Sequence, residues 1–214
     1  MKFIDMVAGL EEISDTTWGH FAFKKEITRN KIDNEKRLEM IEKSIDCGYS
    51  VAKDIKNKFG NISPQELAKS LKIDVRKVEG GISGNHILFA TYSFPDKITL
   101  MKDVFKLAEN DSEISEFISE RQIEDLILAH EIFHFLEQHD ENIYSRKTTV
   151  PLWKLFFYEH KSQVRANSEI AAMCFAKAYN NFNLSCFALD IIIYYAYNQQ
   201  GSRDMYGEVM ELKD

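Results

Sequence analysis

Two histidines four residues apart flank a glutamate in the stretch His130-Glu131-Ile132-Phe133-His134. On a helix, residues four apart lie one turn apart on the same face, so both imidazoles can reach one metal ion. Glu131 lies about 100° around the helix from His130 and can address a water bound to that ion. This spacing is typical of zinc peptidases. We therefore predict that His130 and His134 bind Zn²⁺ and that Glu131 is the catalytic base.

The residues around this motif predict a largely buried helix. The run contains no Gly or Pro, and its apolar residues include Ile123, Leu126, Ile127, Phe133 and Leu136. Burying two histidines and a carboxylate costs free energy unless they have a partner, and a divalent cation suits all three. The alternative is that both histidines are hydrogen-bonded core residues and that Glu131 pairs with a lysine.

A catalytic zinc site needs a third protein ligand and an open position for water. The candidates after the motif are His139, Asp140, His160 and Glu169. Metzincin-type enzymes break the motif helix with a Gly three residues after the second His, but this chain has Glu137 there. An unbroken helix would carry His139 and Asp140 away from the metal, and an uncertain loop leads to His160.

Glu169 lies on the next predicted helix, whose face continues through Ala172 and Ala176. Small residues would let this helix pack tightly against the motif helix and bring the carboxylate close. We therefore predict Glu169 as the third ligand, a choice that the residue pattern around Glu169 also supports.

The second helix also carries the pattern Glu169-x-x-Ala172-x-x-Phe175-Ala176. Together with Ala129-His130-Glu131-x-x-His134 it resembles the ImmA/IrrE metallopeptidase family, over roughly residues 36–180. The resemblance implies a zincin-like, gluzincin-type peptidase that cleaves a transcriptional repressor. Met173 and Phe133 depart from the family pattern, in which an Asn and a Gly are common.

The rest of the chain predicts an α+β fold that is mostly helical. Residues 36–59 have heptad-like apolar spacing and predict a long N-terminal helical arm that ends at Gly60. Ser63 and Pro64 predict the start of a short helix. We expect residues 36–214 to form a single zincin-like metallopeptidase domain, and we leave residues 1–35 unassigned.

Sheet-forming residues are concentrated in one region. Residues 74–78 look extended, and 86–94 and 97–101 predict an antiparallel hairpin that turns at Pro95-Asp96. An extended peptide could add to the edge of this small antiparallel sheet. Two further helices are predicted at about 162–180 and 184–199.

Composition narrows the function classes. The net charge of −7 argues against a nucleic-acid-binding surface. Cys47, Cys174 and Cys186 form no C-x-x-C pair, which fits reduced thiols in the cytoplasm and no thiolate zinc site. No signal peptide is evident after Met1, and the most apolar stretch, 189–197, is too short to span a membrane.

These observations predict a zinc-dependent, intracellular, regulatory endopeptidase with a protein or peptide substrate. The side chains that could stabilise the oxyanion are Tyr144, Tyr158, His160 and Arg165. One alternative is a non-catalytic zinc-binding sensor or interaction protein on a zincin-like fold. Another is an oligomeric binding protein that associates through the 36–59 arm.

Overall fold

The computed structural model describes residues 1–84, 86–155 and 158–213, with the backbone alone for 152–155 and 158–159. The fold is α+β and mostly helical. The helices are α1 (Phe3–Glu11), α2 (Asp15–Lys24), α3 (Asn34–Phe59), α4 (Pro64–Ser70), α5 (Lys102–Asn110), α6 (Ser112–Phe117), α7 (Glu120–His139), α8 (Tyr144–Lys147), α9 (Arg165–Tyr179), α10 (Phe187–Tyr197) and α11 (Gln199–Met210). The strands are β1 (Asp74–Val78), β2 (Ile82–Ser83), β3 (His86–Ile87), β4 (Ala90–Ser93), β5 (Lys97–Met101), β6 (Thr149–Leu155) and β7 (Tyr158–Gln163).

Capping residues set several of the helix boundaries. The Asp33 carboxylate accepts a backbone N–H of the first turn of α3, and Gly60 ends that helix at φ +79°. Ser63 and Glu66 form the capping box that opens α4, which confirms the short predicted helix. These local signals place α3 and α4 within two residues of their predicted bounds.

Helix α9 lies at the centre of the domain, between α3 and α7. Ala172 and Ala176 on α9 are fully buried, as expected of a tightly packed face. On the α3 side, Gly48 approaches so closely that a Cβ there would lie 2.3 Å from the carbonyl oxygen of Ala171. The absence of a side chain at this position lets the two helices meet.

The expectation that α3 forms an N-terminal arm is wrong. Its apolar residues Met40, Ile41 and Ala52 are at most 1% exposed and belong to the main core. Helices α9 and α2 of the same chain cover most of this apolar face, and Leu38 near its start remains 40% exposed. Most of the face is therefore not a free surface for association with a second chain.

The unassigned segment 1–35 contains α1, α2 and a 3₁₀ turn at Arg29–Lys31. Trp18, Phe21 and Phe23 are buried in the same core as the rest of the chain. Lys177 of α9 forms an ion pair with Asp15 of α2 at 2.8 Å. The segment is thus part of the same packed domain as the rest of the chain.

The main sheet is mixed, with strand order β1-β5-β4, which corrects the antiparallel expectation. Strand β4 pairs antiparallel with β5, as the predicted hairpin requires, but β1 joins β5 in parallel. The alternating residues Ile98 and Leu100 of β5 are fully buried, which fixes the face that packs against the helices. The alternation of one strand does not encode the direction of its neighbour, so the sequence alone left β1 unpaired.

Two other segments also differ from their predicted structure. The predicted strand 86–94 is divided, because β3 pairs with β2 while β4 pairs with β5. Strands β6 and β7 pair antiparallel, and β7 extends to Gln163, so the helix expected from 162 begins at Arg165. Helix α11 follows α10 directly and was not predicted.

Candidate metal centre

Helix α7 presents the His-Glu-x-x-His motif from within the core. A capping box of Ser119 and Gln122 starts the helix, which then continues without a break to His139. One face of the helix packs against α9 and another against β4. Because the helix is regular, His130 and His134 project from the same face, one turn apart.

The structure brings together three side chains predicted as metal ligands: His130, His134 and Glu169. The two Nε2 atoms lie 3.0 Å apart, and the Glu169 carboxylate lies 3.5 Å from Nε2 of His130 and 3.9 Å from Nε2 of His134. A tetrahedral zinc ion with ligand bonds of about 2.1 Å places its ligand atoms about 3.4 Å apart. The three observed distances scatter around that value, so this group could hold a metal ion.

The three competing candidates lie elsewhere. His139, at the end of α7, is exposed and its Nδ1 contacts the carbonyl oxygen of Phe135 at 2.8 Å. Asp140 caps the same helix end, where its carboxylate accepts the N–H of Asn142. His160 is an exposed residue of β7. The unbroken helix thus separates residues 139 and 140 from the histidine pair, as expected.

Ser168 and Glu137 form a hydrogen-bonded group on the Nδ1 side of His134. The Ser168 hydroxyl donates to the Glu137 carboxylate at 2.6 Å, and its oxygen lies 3.3 Å from Nδ1 of His134. Because the only hydroxyl hydrogen is given to Glu137, the imidazole must be the donor in the second contact. Nδ1 of His134 therefore carries a proton, so in the neutral imidazole the lone pair is on Nε2, on the side of His130 and Glu169.

Hydrogen-bond partners on the other ring nitrogen hold a metal-binding histidine in one tautomer. Glu137 is buried, with 4% exposure. Burial opposes its ionisation, but hydrogen bonds from His134 and Ser168 among others keep its pKa below the usual value. Among the described residues, by contrast, the buried Nδ1 of His130 has no hydrogen-bond partner.

Burial and neighbouring charges shift the two histidines in opposite directions. Burial, followed by the effect of His134, lowers the pKa of His130 well below the usual value. Burial also acts to lower the pKa of His134, but Glu137, Glu169 and Glu131 raise it overall. A neutral His130 is already in the protonation state that metal binding requires.

Glu131 is buried beside the triad, with 8% exposure. Burial above all, and also the charge of Glu169, raise its pKa to about 7, against the opposing effects of His134 and the Tyr92 backbone N–H. Tyr92 lies on β4, so the edge strand of the main sheet contacts the motif glutamate.

A cavity of about 530 Å³ opens at the triad and is lined by all three candidate ligands and by Glu131. Thr91 and Tyr92 of β4 line one part, and Arg165 and Ser168 at the start of α9 line another. This size is within the range of about 300–1,000 Å³ that is usual for ligand sites. The site is therefore an accessible cleft.

The four candidate oxyanion donors are distributed unevenly around this cavity. Arg165 lines it, whereas Tyr144 lines a separate surface depression with Cys47. His160 is not among the lining residues, and the side chain of Tyr158 lies outside the described part of the chain. Arg165 is thus the candidate that the fold brings to the cleft.

Three residues at the site, Glu137, Ser168 and Tyr92, were not predicted from the sequence to have a functional role. Glu137 entered only as a departure from Gly, and Ser168 is the unremarkable neighbour of Glu169. Tyr92 looked like ordinary strand material. The signal available in the sequence was an acidic residue one turn after the second histidine, where it can contact that histidine.

Comparisons of the chain with protein-family models, with curated proteins and with solved structures find no match. The family resemblance therefore stays a prediction that depends on the two motifs. No helix in the described ranges combines the length and apolarity needed to cross a bilayer.

Proposed function

We propose that this chain is a zinc-dependent endopeptidase that hydrolyses a peptide bond in a protein partner. The observation that carries the proposal is the position of Glu131. Its buried carboxylate lines the same cleft as His130, His134 and Glu169. Structural zinc sites are closed by four protein ligands, whereas catalytic sites use three and leave one position open. The described residues supply three at a cleft, which favours the catalytic class.

A bound zinc ion would supply Lewis acidity that polarises the scissile carbonyl and lowers the pKa of water. Glu131 accepts a proton from the attacking water as the water oxygen bonds to the carbonyl carbon. The same carboxyl group then gives that proton to the amide nitrogen as the C–N bond breaks, which releases a carboxylate and an amine. Arg165, which lines the cleft, would donate to the oxyanion in this proposal.

The substrate is an extended polypeptide in this proposal. Strand β4 is the edge of the main sheet and lines the cleft through Thr91 and Tyr92. A peptide can add to such an edge through backbone hydrogen bonds. Its carbonyl groups would then lie next to the three candidate metal ligands. The resemblance to the ImmA/IrrE family adds the expectation that the partner is a transcriptional repressor inside the cell.

The test compares Glu131→Gln with native protein in zinc affinity and in cleavage of a proteome-derived peptide library. Because Gln is nearly isosteric but cannot take the proton, cleavage should fall by about 100-fold or more while zinc stays bound. Glu120→Gln, an exposed change on the same helix, is the matched control. Full activity of Glu131→Gln would contradict the role of the base. A native protein that binds zinc but cleaves nothing would instead favour the non-catalytic sensor.

A further inference from the structure

A second cavity adjoins the metal centre on its apolar side. It measures about 240 Å³ and shares His130, Glu131 and Glu169 with the main cleft. For comparison, an apolar cavity of about 150 Å³ is known to hold a benzene molecule. The second cavity is therefore large enough for a long side chain next to the scissile bond.

The walls of this cavity are mostly apolar. They include Leu126 and Ile127 of α7, Met173 of α9 and Leu189 of α10. Such walls suit the hydrocarbon part of a side chain, since burial of apolar surface contributes about 25 cal/mol per Å². They do not by themselves distinguish leucine from the stem of lysine or arginine.

Asp190 supplies the distinguishing feature. It lines the same cavity, directly after Leu189 on α10. Within the described ranges of the chain, no hydrogen bond or ion pair within 4.0 Å reaches its carboxylate. Burial above all raises the pKa of Asp190 to about 6, while the charge of Lys25 acts to lower it, so the group is still mainly an anion at pH 7. Asp190 is only partly exposed, and a partly desolvated carboxylate is costly unless a cation is supplied.

Lys25 is an exposed cation of the same chain that lies near Asp190 and interacts with its charge. It lines two neighbouring cavities together with Asp190, yet it is not among the residues that line the one beside Glu131. Its ammonium lies 4.8 Å from the centre of the Phe21 ring. The Asp190 carboxylate thus remains available from the side of the metal centre.

We infer that this cavity is a specificity pocket for a lysine or arginine side chain adjoining the scissile bond, with Asp190 binding the cationic end. The inference rests on the proposed function. Apolar walls would hold the methylene groups, and the carboxylate would accept hydrogen bonds from the ammonium or guanidinium group. The chain's net charge of −7 would also favour the approach of a basic peptide.

One experiment measures cleavage of paired peptides that differ only in Arg or Leu at each position flanking the cleaved bond. Native protein should prefer Arg on one side. In Asp190→Asn the Arg-to-Leu ratio of kcat/KM should fall by at least about 30-fold, as for the loss of a buried charge partner. Asp204→Asn, an exposed change of the same charge on α11, should keep the native ratio. An unchanged ratio in Asp190→Asn would overturn the pocket assignment.

A binding measurement separates this outcome from failure of the proposed function. Butylguanidinium and its neutral analogue butylurea are titrated into native protein and Asp190→Asn by calorimetry. The cation should bind native protein more tightly than butylurea, and this difference should vanish in the variant. If no peptide is cleaved but this difference is seen, the pocket stands and the peptidase proposal falls. If peptides are cleaved without it, the proposal about the pocket is overturned.

Discussion

The carboxylate of Glu169 lies 3.5 Å from Nε2 of His130, although the two residues belong to different helices. This contact adds a third candidate ligand, from α9, to the two histidines of α7. It depends on the close packing of α9 against α7, and through α9 on α3 as well. The predictions below concern the site and the packing that places it.

Glu169→Ala should weaken zinc binding by more than the roughly 10–100-fold typical of second-sphere changes, because it removes a direct ligand. Titration against a chromophoric chelator measures this affinity. His139→Ala, Asp140→Ala and His160→Ala are the controls and should stay close to native protein. Loss of zinc in Asp140→Ala or His139→Ala, with Glu169→Ala unaffected, would contradict the assigned ligand set.

Glu137→Gln should weaken zinc binding by about 10–100-fold, since it disturbs the group that orients His134 through Ser168. The same chelator competition provides the measurement. Glu141→Gln, an exposed change just beyond α7, is the matched control. Equal affinities of the two variants would show that the Glu137 carboxylate does not support His134.

Glu26→Gln should destabilise the fold at pH 7 by about 1–3 kcal/mol. The buried Glu26 carboxylate accepts the backbone N–H groups of Thr28 and, at the start of α9, Ala166. Burial opposes ionisation, yet these hydrogen bonds lower the pKa of Glu26 below its usual 4.5. Its stabilising effect is therefore complete above pH 4.5 and is lost as pH falls through the lowered pKa.

Denaturant unfolding of native protein and Glu26→Gln at several pH values tests this dependence. The difference in unfolding free energy should shrink as the solution is acidified below pH 4.5. The exposed Glu11→Gln supplies the control for a change of one charge. A difference that stays constant down to acid pH would show that ionisation of Glu26 does not stabilise the start of α9.

Gly48→Ala should destabilise the protein by about 1–3 kcal/mol, the usual cost of overpacking. The added Cβ would lie 2.3 Å from the Ala171 carbonyl oxygen, so α3 and α9 must move apart. Gly207→Ala on α11 is the control, because a Cβ there meets nothing within 4 Å. It should be neutral or stabilising by up to about 1 kcal/mol. Equal thermal unfolding of both variants would contradict the close helix contact.

The sequence predicted best what is encoded locally. The i, i+4 histidines, the capping box at Ser63 and the absence of a helix break at Glu137 each depend on neighbours along the chain. Glu169 was predicted as a ligand because the small residues on its helix favour close packing against the motif helix. Its position beside the histidines was therefore predicted from spacing, from residue size and from the family-like pattern around it.

Features that depend on tertiary partners were not predictable in the same way. The apolar face of residues 36–59 predicted an arm, because amphipathic spacing does not show whether the same chain or another chain covers that face. The parallel pairing of β1 and the division of residues 86–94 between two sheets depend on contacts distant in sequence. Asp190 was visible only as one acid in an apolar run, since its cavity is built by α7, α9 and α10 together.

X-ray absorption spectroscopy of the zinc-loaded protein tests the central claim most directly. The chain is loaded with zinc at neutral pH and freed of excess metal, and the zinc content and first coordination shell are measured together. We expect about one zinc per chain, two imidazole nitrogens and oxygen ligands at about 2.0–2.2 Å, and no sulfur shell at about 2.3 Å. Absence of bound zinc, or a shell that contains cysteine sulfur, would contradict a centre formed by His130, His134 and Glu169.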